Sequence, residues 1–271
     1  MKKRSAMSWL AVSAAALALP LAARGYGALE ERIRGAAPGN RPEYDAKNQK
    51  KKPDSPLRGK RILFLGSSVT YGAASEGQSF VELFEALDGV EAIKEARSGT
   101  TLADITVLRA FFFYGSGASY VKRLKAISPS AAPDCVVVQL STNDATRKLP
   151  LGEISSGTDP AAFDRKTVTG AMEWIISYCR DTWGCPVVFY TGSRYDSAEY
   201  AAMVERLREL RDKWGIGMID LYTDEAFNAI DPETYDLYMN DPIHPTKAGY
   251  LNWWFPRMEA ELTRILLGRE A

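Results

Sequence analysis

Arg61-Ile62-Leu63-Phe64-Leu65-Gly66-Ser67-Ser68-Val69-Thr70-Tyr71-Gly72 is an apolar run that stops at a glycine and turns into a hydroxyl-rich, glycine-bounded loop. A short apolar run bounded in this way suits a buried strand. The same shape recurs along the chain. Asp134-Cys135-Val136-Val137-Val138-Gln139-Leu140 is β-branched and apolar and runs into Ser141-Thr142-Asn143-Asp144; Pro186–Tyr190 and Ile216–Leu221 are further short strands, and residues 91–96 form a weaker one. Between these runs the period changes. Phe80, Leu83, Phe84 and Leu87 share one helical face in Ser79–Leu87. Asp159 followed by Pro160 pairs an N-cap with a proline at the first helical position, which predicts a helix from there to about Trp183. Ser197 to Trp214 is amphipathic and stopped by Gly215, and a last helix is expected over about Lys247 to Leu267. Strands alternating with helices imply an α/β fold, a parallel sheet covered on both faces. Such sheets bind ligands outside the carboxyl ends of their strands, so the residues that follow each strand are the ones to inspect.

The whole chain has 271 residues, 34 Lys+Arg against 34 Asp+Glu, and one histidine. The net charge of zero gives no sign of a nucleic-acid binder, and it hides three unlike parts. Residues 1–23 carry Lys2, Lys3 and Arg4 with no acid; residues 24–61 carry 11 basic and 5 acidic residues; residues 62–271 carry 20 basic and 29 acidic residues. The first part reads as an export signal: a basic start, then 18 uncharged residues from Ala6 to Ala23, with small residues near Ala22 and Ala23 for cleavage. An uncleaved membrane anchor is the rival reading. Either way, the protein is expected to be exported, and secreted or held at the extracellular face of the membrane. Residues 24–59, broken by Gly35, Pro38, Gly39, Pro42, Pro53 and Pro56 and carrying Lys50-Lys51-Lys52, read as a basic solvated linker. A second reading gives this linker weak contact with an anionic membrane or wall polymer. Residues 60–271 form the acidic globular body, which repels polyanions, so no nucleic-acid partner is expected.

Four segments carry polar residues able to meet at one edge: Gly66–Gly72, Ser98-Gly99-Thr100-Thr101, Ser141–Asp144 and Asp241-Pro242-Ile243-His244-Pro245. Acyl transfer by a serine needs a nucleophile, a base, a group that orients the base, and donors for the oxyanion. Ser68, at a strand-to-helix turn, supplies the nucleophile and its own N–H. Gly99 supplies a backbone N–H, Asn143 a side-chain amide, His244 the sole imidazole, and Asp241 a carboxylate three residues before it. Each segment alone has a plainer reading as a turn, a helix cap or a loop histidine; the ordered set of distinct roles is what carries weight. A multi-histidine zinc site cannot be built from one histidine and three cysteines that lie in no C-x-x-C pair.

That set resembles the SGNH/GDSL hydrolase family over about residues 60–266. Gly66-Ser67-Ser68 looks like the family's first block, whose third position is the nucleophile; Gly99 and Asn143 match its oxyanion glycine and asparagine; Asp241-x-x-His244-Pro245 looks like its last block. The resemblance implies a three-layer α/β/α sandwich with a flavodoxin-like parallel sheet, and ester hydrolysis through an acyl-serine without metal or cofactor. It also implies Ser68, Asp241 and His244 as the catalytic residues, with Ser68, Gly99 and Asn143 as the oxyanion hole. Two positions depart from the pattern: Ser67 stands where aspartate is usual, and Ser141 where glycine is usual. Block position makes Ser68 the nucleophile and Ser67 the second choice. The G-x-S-x-G elbow of α/β-hydrolases is absent around Ser68.

The substrate is less legible. Arg147, Lys148, Arg194 and Tyr195 should lie near the carboxyl edge, either binding an anionic or sugar substrate or serving as ordinary loop residues. Phe111-Phe112-Phe113-Tyr114 reads as core or cleft wall, and Trp253 and Trp254 as packing residues. Export, the family likeness and the lack of a large insertion between the blocks point to short acyl esters, such as acetyl groups on small molecules or glycans. An O-acyltransferase using the same residues, and a non-catalytic carbohydrate-binding module, are the alternatives. Cys135 reads as an inert buried thiol; Cys179 and Cys185 bracket a turn where export would permit a disulfide.

Overall fold

The computed structural model describes residues 37–108 and 117–268. Five strands, β1 (Arg61–Gly66), β2 (Glu91–Ala96), β3 (Cys135–Gln139), β4 (Val187–Tyr190) and β5 (Gly217–Ile219), form one parallel sheet in the order β2-β1-β3-β4-β5. Side chains alternate across a strand, so apolar runs buried on both faces feed two cores. Leu63, Leu65, Val136, Val138, Val187 and Phe189 pack on one side, under the helices Tyr120–Lys125, Val168–Trp183 and Ala198–Trp214. Ile62, Phe64, Cys135, Val137, Val188 and Tyr190 pack on the other, under Phe80–Leu83 and the C-terminal helix. The result is the three-layer α/β/α sandwich that the family resemblance implied. β1 pairs with both β2 and β3, so the chain goes outward from β1 to β2 and then returns past β1 to β3. That reversal makes the carboxyl ends of β1 and β3 the switch point, where α/β sheets bind ligands.

Three elements differ from their expected form, each for a visible reason. Asp159 does cap a helical start, accepting from the Ala161 N–H, but the helix is a single 3-10 turn, Pro160–Ala162. Phe163 then adopts an extended backbone and buries its ring against Trp214, 6.0 Å between centroids, and Thr167 starts the long helix afresh by accepting from the Gly170 N–H. The last helix widens into a π turn over Tyr250–Trp254 before continuing as Phe255–Leu267. Pro256 has no N–H to give, and its ring would strike the carbonyl one turn back, so the widened turn lies where the α ladder would fail. In it Trp254 is fully buried, and the Trp253 indole N–H donates to the Phe227 carbonyl at 2.8 Å.

The expected linker is the third element that differs. Residues 37–59, within the segment expected to be solvated, lie on the body. Pro38–Asn40, Pro42–Tyr44 and Ala46–Asn48 are consecutive 3-10 turns, Leu57 is fully buried in the core that holds Phe64, and the Lys52 N–H donates to the Leu87 carbonyl at 2.8 Å. Prolines here set the first positions of tight turns rather than interrupt structure. The expected export segment, residues 1–23, and the run Phe111–Tyr114 lie outside the described residues.

Cys135, Cys179 and Cys185 are free and buried, so the Cys179–Cys185 bridge that export would permit is not present. Burial pushes all three thiols above their ordinary range. A thiol reagent should therefore find no reactive cysteine in the native protein and all three after denaturation without reductant. Recovery of only one would show that the bridge forms.

Candidate active site

Ser68 opens a one-turn helix, Ser68–Tyr71, directly after β1, and Gly72 ends it at φ 83°. The turn is fixed from below. Gln139, the last residue of β3 and fully buried, accepts with Oε1 from the Ser67 N–H at 2.8 Å and from the Thr70 hydroxyl at 2.9 Å. The Tyr190 and Thr70 hydroxyls lie 2.6 Å apart, and the Tyr250 hydroxyl donates to the Val69 carbonyl at 2.6 Å. Gly66 permits the arrangement: a Cβ there would lie 1.7 Å from Thr70 Oγ1 and 2.9 Å from Gln139 Oε1.

Held in this way, Ser68 Oγ lies 2.7 Å from His244 Nε2. Ser67 Oγ instead faces Gln139 Oε1 at 3.3 Å, so the imidazole addresses Ser68 of the two serines. The other face of the ring meets Asp241, whose carboxylate oxygens both lie 2.9 Å from His244 Nδ1. A carboxylate accepts only, which places the proton on Nδ1 and leaves Nε2 to accept the serine O–H. Burial alone would raise the Asp241 carboxyl, but the His244 ring and the N–H groups of Ile243 and His244 outweigh it and hold the acid well below the usual carboxylate range. Asp241 is therefore held as the carboxylate.

The oxyanion candidates lie on two neighbouring loops. The Thr100 N–H returns to the Arg97 carbonyl at 3.4 Å, a turn whose third residue, Gly99, sits at φ 74°, where a side chain would be strained. Asn143, in the helix Thr142–Thr146 after β3, donates one amide N–H to the Thr100 carbonyl at 2.9 Å, leaving its second N–H for a ligand. Arg123, almost fully buried, ties the loops to the sheet: it donates to the Gly66 carbonyl at 2.8 Å, to the Glu95 carbonyl at 2.8 Å and to the Thr100 hydroxyl at 3.2 Å.

A family model for the GDSL-like lipase/acylhydrolase family matches residues 64–251, from within β1 to beyond His244. The chain belongs to that family. Its members are lipases and acylhydrolases, which makes this chain an ester-bond hydrolase. Similar solved structures include a protein from Lactobacillus plantarum (20% identity, 79% of this chain and 100% of that one, TM-score 0.59). A Bacteroides ovatus protein assigned as a GDSL-like lipase is similar at 17% identity over 78% of this chain and 99% of that one, TM-score 0.54. A family two carbohydrate esterase from Clostridium thermocellum, solved with cellohexaose, is similar at 18% identity over 77% of this chain and 65% of that one, TM-score 0.54. At these identities the likeness is one of fold. A search of curated proteins gives no match.

Within this GDSL-like hydrolase the two departures from the family pattern have local explanations. An aspartate at position 67 would point a carboxylate at the Gln139 carbonyl oxygen, acceptor against acceptor; Ser67 supplies a donor instead. Ser141 sits beside Asp144, a fully buried carboxyl that accepts from the Leu102 N–H at 2.8 Å and the Ala103 N–H at 3.0 Å, and so braces the loop carrying Gly99.

The expected substrate residues are not brought to Ser68 in the same way. Arg194 spends its guanidinium on the carbonyls of Tyr222 (3.2 Å) and Thr223 (3.4 Å). Tyr195 packs its ring on Tyr200, 5.0 Å between centroids. Lys148 pairs with Glu199 at 3.2 Å, and Arg147 is exposed just after the helix that bears Asn143. Among the described residues no three His, Cys, Asp or Glu side chains converge as a metal site would need. Sequence reading passed over Gln139, Arg123 and Asp144 as site residues. Gln139 had a signal, a polar residue inside a strand buried on both faces; Arg123 lay in a stretch with no element assigned.

Burial drives the Asp144 carboxyl up to about 6, while the N–H donors of Ala103 and Leu102 and the Ser141 hydroxyl keep it from rising further. A folded-state value above the unfolded one means that the stability from this group is full below about pH 4 and is lost as pH rises through about 6. The loss amounts to about 3 kcal/mol. Denaturant unfolding at pH 4 and pH 7 should show that Asp144→Asn lacks this part of the wild-type pH slope; an unchanged slope would contradict the assignment.

Proposed function

We propose that this GDSL-like hydrolase is an exported serine esterase that removes short acyl groups, acetyl foremost, from small-molecule or glycan esters through an acyl-Ser68 intermediate. The observation that carries this is the Ser68–His244–Asp241 relay, with the serine hydroxyl 2.7 Å from His244 Nε2 and the Asp241 carboxylate 2.9 Å from His244 Nδ1. As Ser68 Oγ attacks the ester carbonyl, His244 Nε2 takes the hydroxyl proton and Asp241 stabilises the imidazolium. The carbonyl oxygen becomes an oxyanion held by the N–H groups of Ser68 and Gly99 and the free amide N–H of Asn143. Collapse breaks the ester C–O bond, and the departing alcohol takes the proton from His244. Water then attacks the acyl-serine, giving its proton to His244, which returns it to Ser68 as the acid leaves.

The glycan part rests on the fold shared with the carbohydrate esterase, and the short acyl chain on the compact spacing of the blocks. Export rests on residues 1–23; among the described residues no helix is long and apolar enough to cross a membrane. Contact between the basic N-terminal segment and an anionic membrane or wall polymer belongs to the same proposal: Lys50 and Lys51 are exposed. An O-acyltransferase would use the same three residues, and products formed with and without a sugar acceptor separate the two.

The test is an ester panel from acetyl to long acyl, with acetylated glycans included. Activity should be highest at the short end and vanish in Ser68→Ala and in His244→Ala, which removes every imidazole in the chain. A fluorophosphonate should label Ser68 in the wild type alone; near-normal hydrolysis by either variant would end the serine-hydrolase reading. Separately, Asn143→Ala should lower turnover about 100- to 1,000-fold with the fold intact, and turnover within a few-fold of wild type would remove Asn143 from the oxyanion hole.

A further inference from the structure

His244 lies on a loop that belongs to no strand of the sheet. The described backbone ties at its root are to the helix Pro232–Tyr238 and its flank: Asn240 N–H to the His244 carbonyl at 2.9 Å, Thr246 N–H to the Tyr238 carbonyl at 2.9 Å, and an isolated bridge between Met239 and Pro245. Ser68, by contrast, is welded to β1. A base and a nucleophile on separately anchored loops must be kept in register by something that spans both.

Residues 37–48 span both. Asn40, buried in the first 3-10 turn, donates from Nδ2 to the Ala74 carbonyl at 2.6 Å, in the loop that follows the Ser68 helix. With Oδ1 it accepts from the Lys247 N–H at 2.9 Å, three residues after His244. Asp45 repeats the bridge. Its Oδ1 accepts from Lys247 Nζ at 2.6 Å and from Gln78 Nε2 at 3.2 Å, while Gln78 Oε1 accepts from the Ala46 N–H at 3.1 Å. Lys247 Nζ also pairs with Glu76, which holds φ 56°, a backbone conformation that a non-glycine residue keeps only when its surroundings impose it. Gly39 brings the segment close enough: a Cβ there would lie 2.1 Å from the Leu237 carbonyl oxygen and 2.3 Å from Thr246 Oγ1. Among the described residues, two side-chain links join the two sides without it, besides the Ser68–His244 contact itself: Tyr250 to the Val69 carbonyl at 2.6 Å, and Lys247 to Glu76.

We propose that residues 37–48 are a positioning clasp for the acyl-transfer site, in which Asn40 and Asp45 lock the His244 loop onto the Ser68 loop. The clasp lies before residue 64, where the family match begins. Both bridging side chains are almost fully buried and touch loops on each side of the Ser68–His244 contact. Two buried partners satisfied by one Asn, and a buried ammonium shared by two carboxylates, cost free energy when either side is lost, so the pairing favours a single loop geometry. The inference rests on the serine-esterase reading for its effect on rate, and not for its effect on the imidazole.

The test uses the full chain with Asn40→Ala, Asp45→Asn and, as a control, Arg58→Ala, whose guanidinium bonds only the Lys52 and Pro53 carbonyls among described partners. His244 is the single histidine, so its Nδ1–H proton resonance reports the relay with no assignment ambiguity and without substrate. In Asn40→Ala and Asp45→Asn that resonance should shift or broaden. Fluorophosphonate labelling of Ser68 and kcat on a short ester should fall roughly tenfold or more with KM little changed, since misplacement by about 1 Å costs rate on the order of 100-fold. Arg58→Ala should leave all three alone, whatever it does to the melting temperature. If Asn40→Ala does not fold, Asn40→Asp, which keeps the acceptor for Lys247 and loses the donor to Ala74, carries the test. A wild-type resonance and labelling within twofold in folded Asn40 and Asp45 variants would overturn the clasp. Hydrolysis that survives Ser68→Ala would instead overturn the esterase reading, and the resonance would still decide the clasp.

Discussion

A serine hydroxyl is a weak nucleophile unless a base stands within hydrogen-bond reach, and here that reach is 2.7 Å between residues 176 positions apart. The geometry around the site answers that constraint. Parallel topology fixes one partner: β1 sits inside the sheet with neighbours on both sides, so Ser68 issues from the best-supported edge of the molecule. The other partner comes from beyond the last strand, where no backbone ladder is available. The fold alone therefore positions half of the relay, and side chains must position the rest.

Those side chains are buried and polar, a costly choice unless every member is satisfied. Gln139 carries the nucleophile turn, Arg123 joins that turn to the oxyanion loop, Asp144 braces the oxyanion loop from within, and Asn40 and Asp45 reach across to Lys247, three residues after the histidine. Hydrogen bonds carry a fixed direction that apolar contacts lack, so a satisfied polar layer specifies one arrangement of the loops. The site sits on this directional layer, which lies between the apolar sandwich and the solvent.

The apolar sandwich was readable because its strands are short, β-branched and bounded by glycine or polar turns, and because burial on both faces removes any need for alternation. The blocks after β1 and β3 were readable for the related reason that polar residues directly after a buried run must face the edge. The directional layer was not, since its partners are distant in sequence: nothing near Arg194 announces the Tyr222 and Thr223 carbonyls, and nothing near Asn40 announces Ala74 and Lys247. Composition misled at residues 37–59, where proline and lysine suggested a linker. The one strongly apolar residue near its end, Leu57, is fully buried, and the prolines begin turns. The Asp-Pro signal shows the same limit twice. Asp159-Pro160 starts a three-residue turn and Asp231-Pro232 a seven-residue helix, because Phe163 is drawn into the core and no residue of Pro232–Tyr238 is.

The spacing of Asp241 and His244 has a physical origin that goes beyond pattern. One carboxylate oxygen accepts from the Ile243 N–H at 2.9 Å and the His244 N–H at 3.0 Å, closing the Asp-Pro-Ile-His turn from within, and it also faces His244 Nδ1. A separation of three residues lets a single short side chain shape the loop and orient the ring at once. The same bonds hold the acid ionised, so the group that builds the loop also sets the tautomer of the base. Pro242 carries no N–H of its own to compete for that carboxylate, and Pro245 enters the bridge with Met239 that returns the chain to the body. Loop closure, ring orientation and charge thus depend on one residue, and the remaining degree of freedom, where the closed loop sits relative to Ser68, is the one that Asn40 and Asp45 are placed to remove.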